Sequence, residues 1–180
     1  SRFGGSPDVP RGFAWPTHRE RPLTFLAQLD LSELGAVALP QTGWLLFFYD
    51  VAEQPMGFDP IHQGGAKVVY VDASRNDLRR VEHPDVTHAG GPYEPCSLGF
   101  TPTVDLPDAE DRLLEANHLG LRGEDSERYR VLTDSLHGFT ANTPYHHLLG
   151  HPQLIQGDMR GECQLVTQGI YCGDPSGYRG

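Results

Sequence analysis

Residues 23–51 read LTFLAQLDLSELGAVALPQTGWLLFFYDV and contain two strand patterns separated by a turn. Residues 23–31 alternate, with apolar side chains at every second position and polar side chains between them, apart from Leu26. A strand with one buried face has this alternation. The positions predicted to share the apolar face are Leu23, Phe25, Ala27, Leu29 and Leu31.

The second pattern, residues 43–51, is apolar on both faces, which predicts a central strand covered on both sides. The intervening "LPQTG" has turn residues, so we expect the two strands to pair antiparallel. Residues 66–72 predict a third strand, residues 79–85 an edge strand that Pro84 ends, and residues 93–107 an interrupted strand.

Two helices are predicted after these strands, over residues 107–120 and 125–138. In the second helix, Tyr129, Leu132 and Leu136 fall on one stripe, which predicts that this side packs on a core. Together the patterns predict an α+β fold with mainly antiparallel sheet, about two helices and long extended arms rich in glycine and proline.

Two segments of the chain share a local pattern. When "RFGGSPDVP" is aligned with "HLLGHPQLI", Gly5 matches Gly150 and Pro7 matches Pro152. In both segments an apolar residue lies two positions before the glycine and another lies two positions after the proline. The alignment predicts two related halves within one domain spanning residues 1–180. The first half covers about 1–104, a helical linker about 105–138, and the start of a second half about 139–180.

Composition restricts the classes of partner. The formal net charge is −10, from 24 acidic against 14 basic residues, so we expect no nucleic-acid partner. Thirteen of the bases are arginines, scattered along the chain without a basic patch. Three cysteines without a C-x-x-C, and no apolar run near eighteen residues, predict a cytoplasmic protein with no membrane partner. The sequence leaves the oligomeric state open.

One interpretation of residues 146–159, "HHLLGHPQLIQGDM", is a metal site. Its candidate ligands are His146, His147, His151 and Asp158. His147 and His151 are four apart, a spacing that matters on a helix. Pro152 disfavours helical backbone at His151, so the stretch is predicted to be an extended turn. We therefore predict no metal and no other cofactor.

A ligand pocket is expected where the two arms meet the sheet, and its candidate residues are Trp15, Gln28, His151 and Gln156. Gln28 interrupts a strand that is otherwise built for burial. The competing interpretation of Gln28 is architectural, because a buried amide usually bonds to backbone groups of a neighbouring segment.

Five stretches of the chain resemble the YwqG-like family, a bacterial domain of unknown function. They are "RFGGSPDVPRGFAWP", "PLTFLAQLDLSEL", "LPQTGWLLFFYD", "KVVYVD" and "HHLLGHPQLIQGDM", in the order that the family uses. The resemblance implies an α+β fold with an internal duplication, mostly cytosolic bacterial members and no established reaction. Family members usually continue with a second strand pair, so we expect both ends of this chain to be trimmed or disordered and its second half, as given, to be incomplete.

Catalytic motifs are missing: the sequence has no G-x-S-x-G, G-x-x-x-x-G-K-[ST] or G-x-G-x-x-G, and no catalytic residue is predicted. The hypothesis that follows is a non-enzymatic module that binds another protein, and the acidic surface favours a basic partner. The alternative is a small-molecule or metal-dependent enzyme centred on His146, His147, His151 and Asp158.

Overall fold

The computed structural model describes residues 1–35, 38–56, 62–85, 93–137, 146–152 and 154. These residues belong to two compact units, one within residues 1–100 and the other from residue 101 onward. No helix in these described ranges is both long and apolar enough to cross a membrane.

The first unit is built on short antiparallel strands. In chain order they are β1 (Arg2–Phe3), β2 (Asp8–Pro10), β3 (Thr17–His18), β4 (Arg21–Pro22), β5 (Thr24–Asp30), β6 (Trp44–Tyr49), β7 (Ala66–Val71), β8 (Leu78–Arg80) and β9 (Cys96–Ser97). Five of them form one sheet in the order β7-β6-β5-β1-β9. The strands β2 and β8 form a second sheet, and β3 and β4 form a third.

The second unit contains the helices α1 (Arg112–Ala116) and α2 (Glu124–His137). Mainly antiparallel sheet with two helices confirms the predicted α+β class. The predicted antiparallel pair is β5 with β6, joined over their whole length from Thr24 opposite Tyr49 to Asp30 opposite Trp44.

A β-bulge in β5 makes part of the face prediction wrong. The register shifts between Phe25 and Ala27, so the two residues lie on opposite faces of the sheet. Leu26, the exception to the alternation, is the extra residue at this bulge. As a result Phe25 faces the core with Phe48, and Gln28 faces the same side opposite Leu46.

The core of the first unit lies on one face of the five-stranded sheet. Its buried members come from β2, from β5 and the residue before it, and from β6 and β7: Val9, Leu23, Phe25, Trp44, Leu46, Phe48 and Val71. The N-terminal arm adds Phe13 and Trp15, whose rings pack on Phe48 at centroid distances of 6.1 and 5.4 Å. The aromatic residues of the arm thus close the core over β6.

The predicted stripe of α2 is wrong in part. Leu132 and Leu136 are exposed, whereas Tyr129 is half-buried and Thr133 is buried. The Tyr129 hydroxyl donates to the carbonyl of Pro107 at 2.9 Å, and that anchor turns the side holding Tyr129 and Thr133 inward. The helix is therefore rotated relative to the orientation that its apolar spacing predicts.

Candidate functional site

Gln28 lies in the core-facing row of β5 and is almost fully buried. Its Oε1 accepts from the backbone N–H of Asp8 at 2.8 Å, and its Nε2 donates to the carbonyl of Asp8 at 2.9 Å. Arg2 donates to the same Oε1 at 3.3 Å. Both ends of the amide are therefore used to hold β2, which is the architectural role considered from the sequence.

Trp15, the second ligand candidate, lies beside a small cavity between the arm and β5. Its indole N–H donates to the carbonyl of Leu23 at 2.8 Å, and its ring packs edge-on to His83. The cavity is lined by residues that include Pro7, Trp15 and Phe25. Its volume is about 10 Å³, which is enough for one water molecule. Gln28 is not among the described residues that line it.

The third candidate, His151, belongs to the second unit. Its backbone N–H donates to Oδ2 of Asp105, and Gly150 leaves room for that carboxylate, which a Cβ would overlap. Leu149 and Gly150 have φ of +66° and +80°, in the left-handed region. The fourth candidate, Gln156, lies outside the described residues.

The predicted metal ligands are only partly placed. His146 and His147 are exposed, His151 is half-buried, and none of the three belongs to a group of potential ligands within the described ranges. No helix runs through residues 146–152. Asp158 lies outside the described part of the chain.

A different group of potential ligands lies at the end of β6. Donor atoms of His18, Asp50 and Glu53 fall within 4.8 Å of one another. The β3–β4 turn, where Arg19 and Glu20 have φ of +48° and +66°, brings His18 to Asp50. Nδ1 of His18 is 2.8 Å from Oδ2 of Asp50, and both side chains are buried.

The Asp50 carboxylate is also held by other donors. Oδ1 accepts from the backbone N–H groups of Ala52 and Glu53 at 3.1 and 3.0 Å, and Arg21 lies 3.2 Å from Oδ2. Burial raises the pKa of Asp50. The hydrogen bond from His18, the backbone N–H of Glu53 and the charge of Arg21 together outweigh burial, so the pKa lies below the ordinary 3.8.

This group does not fit a metal ion. Arg21 pairs with both Asp50 and Glu53, and Arg19 pairs with Glu53 at 2.7 Å. Two guanidinium groups thus neutralise two carboxylates, and a divalent cation would have to displace them. Nε2 of His18 is buried without a hydrogen-bond partner among the described residues, so a substrate has no access to it for proton transfer. The group is an ion-pair clamp between the β3–β4 hairpin and the end of β6.

Sequence reasoning did not single out this clamp. His18 and Asp50 are 32 residues apart, and neither belongs to a known motif. The available signal was weak: "THRERP", residues 17–22, places charged residues in a tight turn, and Asp50 is the first acid after an apolar strand. Neither pattern indicates that the two would meet.

The outer face of the five-stranded sheet, opposite the core, is apolar and unevenly covered. Leu45 pairs with Tyr70 and Phe47 with Val68, so these four side chains lie together. Burial decreases across the sheet: Leu29 in β5 is 6% exposed, Leu45 and Phe47 in β6 are half-buried, and Val68 and Tyr70 in β7 are 54% and 44% exposed. Among the described residues, the core face of β6 is covered as predicted, whereas its outer face is covered only in part.

A model of a known protein family matches most of the chain. The model of the family "Domain of unknown function (DUF1963)" matches residues 1–170. No curated protein matches this chain. Because the match spans nearly the whole sequence, including the arm, the sheet and both helices, the chain belongs to the DUF1963 family of domains of unknown function.

Proposed function

We propose that this protein is a YwqG-like, cytosolic bacterial member of its family that acts as a non-enzymatic module and binds another protein. The binding surface is the outer face of the sheet at β7, made by Leu45, Phe47, Val68 and Tyr70, here named the β7 face. The observation that carries the proposal is the exposure of Val68 and Tyr70 beside the half-buried apolar side chains of β6.

The residue pattern of β6 supports this choice of surface. A strand that is apolar on both faces needs cover on both, because apolar area left in water forgoes about 25 cal/mol for each Å². One face of β6 is covered by the core, where Trp44, Leu46 and Phe48 are buried. A partner on the β7 face would complete the cover on the other.

The edge of the sheet supplies a second binding element. β7 ends the strand order, so one side of its backbone has no strand neighbour among the described residues. An extended peptide can add to such an edge through backbone hydrogen bonds, while its side chains contact the exposed face. The net charge of −10 favours a segment rich in lysine or arginine.

A pair of matched variants tests the proposal. Val68→Glu places a charge on the β7 face, and Val131→Glu makes the same change on α2, where Val131 is 57% exposed. Wild type and both variants are immobilised and exposed to lysate of the native host at low and at high salt. We expect a basic protein that wild type and Val131→Glu retain, that Val68→Glu loses by about tenfold or more, and that high salt weakens.

Lys67 adds a direct measurement on the edge strand, because it is the only lysine of the chain. An amine-reactive reagent, with mass spectrometry to separate Lys67 from the terminal amine, should label Lys67 in the free protein and label it more slowly in the complex. The proposal fails if no partner rises above background at either salt concentration. It also fails if Val68→Glu binds as well as Val131→Glu. Lys67 lies on the opposite face of β7 from Val68, so equal labelling in both states would count against strand pairing at the edge.

A further inference from the structure

Arg2 and Arg80, which are far apart in sequence, share the Asp8 carboxylate, and Arg75 borders the same cleft. Arg2 donates to Oδ2 of Asp8 at 2.7 Å, and Arg80 approaches Oδ1 and Oδ2 at 3.2 and 3.3 Å. Arg75 lies at the same cleft and forms no ion pair with any described residue, including Asp77 in its own turn. The described residues that line the cleft include two arginines and one carboxylate, within a chain whose net charge is −10.

The position of Arg75 is fixed by a backbone turn and by a contact of its side chain with Trp44. It opens the 3-10 turn Arg75–Asp77 after Ser74, whose hydroxyl accepts from the backbone N–H of Asn76 at 3.3 Å. Its guanidinium carbon lies 5.6 Å from the ring centroid of Trp44, within the range of a cation–π contact. Trp44 itself is fixed by the bond from its indole N–H to the carbonyl of Ala73 at 3.0 Å.

The cleft beside Arg75 is large enough for a small molecule. It has a volume of about 310 Å³ and is lined by Asp8, Trp44, Arg75, Leu78 and Arg80. β8 follows directly after the turn, and strand alternation puts Leu78 and Arg80 on the same side while Arg79 points to the other. The cleft therefore combines two guanidinium groups with two apolar side chains.

The Asp8 carboxylate is engaged by Arg2 and Arg80 and has no recorded contact with Arg75. Burial raises the pKa of Asp8, but its hydrogen bonds with Arg2 and Arg80 and their charges outweigh burial, and the pKa lies below 3.8. Asp8 is thus fully ionised near neutral pH and is already shared by Arg2 and Arg80. Among the described residues no acceptor pairs with the Arg75 guanidinium, which contacts the Trp44 ring and can donate to an added acceptor.

We propose that this cleft binds a small organic oxyanion, whose carboxylate or phosphate group is held by Arg75 and Arg80 and whose apolar part contacts Trp44 and Leu78. Guanidinium groups suit this ligand because their paired N–H donors match the two oxygens of a carboxylate or phosphate. The apolar contacts distinguish an organic anion from a bare inorganic ion. This site is independent of the β7 face.

Trp44 makes the binding measurable by fluorescence. The chain has two tryptophans, Trp15 and Trp44, so a Trp15→Phe background leaves Trp44 as the single reporter at the cleft. Succinate and phenyl phosphate are the organic probes, and inorganic phosphate tests the need for an apolar part. All titrations are run at constant ionic strength, and calorimetry on the wild-type chain checks each affinity.

We expect saturable binding of at least one organic probe, weakened about tenfold or more by Arg75→Gln and by Arg80→Gln. Arg75→Lys should also weaken binding, because it keeps the charge but loses the paired donors. Arg79→Gln is the matched control: it removes the same charge from the neighbouring position of β8 and should change affinity by less than about twofold. Unfolding midpoints confirm that each variant is folded before its affinity is compared.

Preference for succinate identifies a carboxylate as the bound group, and preference for phenyl phosphate identifies a phosphate. The proposal is overturned if neither organic probe binds below about 10 mM, or if Arg79→Gln weakens binding as much as Arg75→Gln. Tighter binding of inorganic phosphate than of both organic probes would also overturn it.

Discussion

Replacing Gln28 by leucine tests whether this buried amide is architectural. Leucine fills nearly the same volume but has no hydrogen-bonding atoms, so the backbone N–H and carbonyl of Asp8 would lose their bonds of 2.8 and 2.9 Å. An unsatisfied buried backbone group costs about 1–3 kcal/mol, and about 1–2 kcal/mol is appropriate for each of these part-buried groups. The expected loss of unfolding free energy is therefore about 2–4 kcal/mol.

Urea denaturation at neutral pH measures this loss directly. For a chain of this size each kcal/mol lowers the melting temperature by about 2–4 °C, so calorimetry should show a decrease of roughly 4–16 °C. At neutral pH Gln28→Glu puts an ionised carboxylate at this buried position, opposite the Asp8 carbonyl, so its loss should be at least as large as that of Gln28→Leu. Gln41→Leu, at an exposed position, should change stability by less than about 0.5 kcal/mol.

The reasoning is refuted if Gln28→Leu unfolds within about 0.5 kcal/mol of wild type, or if Gln41→Leu loses as much. Either result would mean that the amide does not hold β2 on the sheet. The buried Gln28 would then need another explanation, and ligand binding would become the leading one.

Two further substitutions test other contacts of the fold. Gly4→Ala should cost about 1–3 kcal/mol more than Gly12→Ala in urea denaturation, because both glycines have positive φ but only at Gly4 would a Cβ lie 2.5 Å from the carbonyl oxygen of Glu94. Equal losses would contradict this close packing. Asp50 has a folded-state pKa below its ordinary 3.8, so its stabilising effect is complete above that value and is lost as the pH falls through the folded-state pKa. The stability difference between wild type and Asp50→Asn should therefore shrink as the pH falls below about 3.8, and a difference that is the same at about pH 3 as at pH 5 would count against the clamp.

The candidate sites show why local sequence patterns predict only some of the residues that form a site. The four histidine and aspartate candidates for a metal site lie within residues 146–158, yet the described histidines form no ligand group. The clamp of His18, Asp50 and Arg21 and the cleft lined by Asp8, Trp44 and Arg75 are each assembled from separate segments. A sequence motif consists of residues at a fixed spacing along the chain. The residues of the clamp and the cleft are instead brought together by the pairing of β3 with β4 and of β2 with β8.

The sequence by itself determined the α+β class, the pairing of β5 with β6 and the existence of the helix α2. These depend on the periodicity of apolar residues and on turn residues, which act over a few positions. Only the tertiary structure decided which faces are buried. The bulge at Leu26 moved Gln28 to the core side, the anchor of Tyr129 rotated α2, and Leu29, Leu45 and Val68 differ in exposure although all are apolar. The physical reason is that burial and ion pairing are set by contacts between distant segments, which no local pattern specifies.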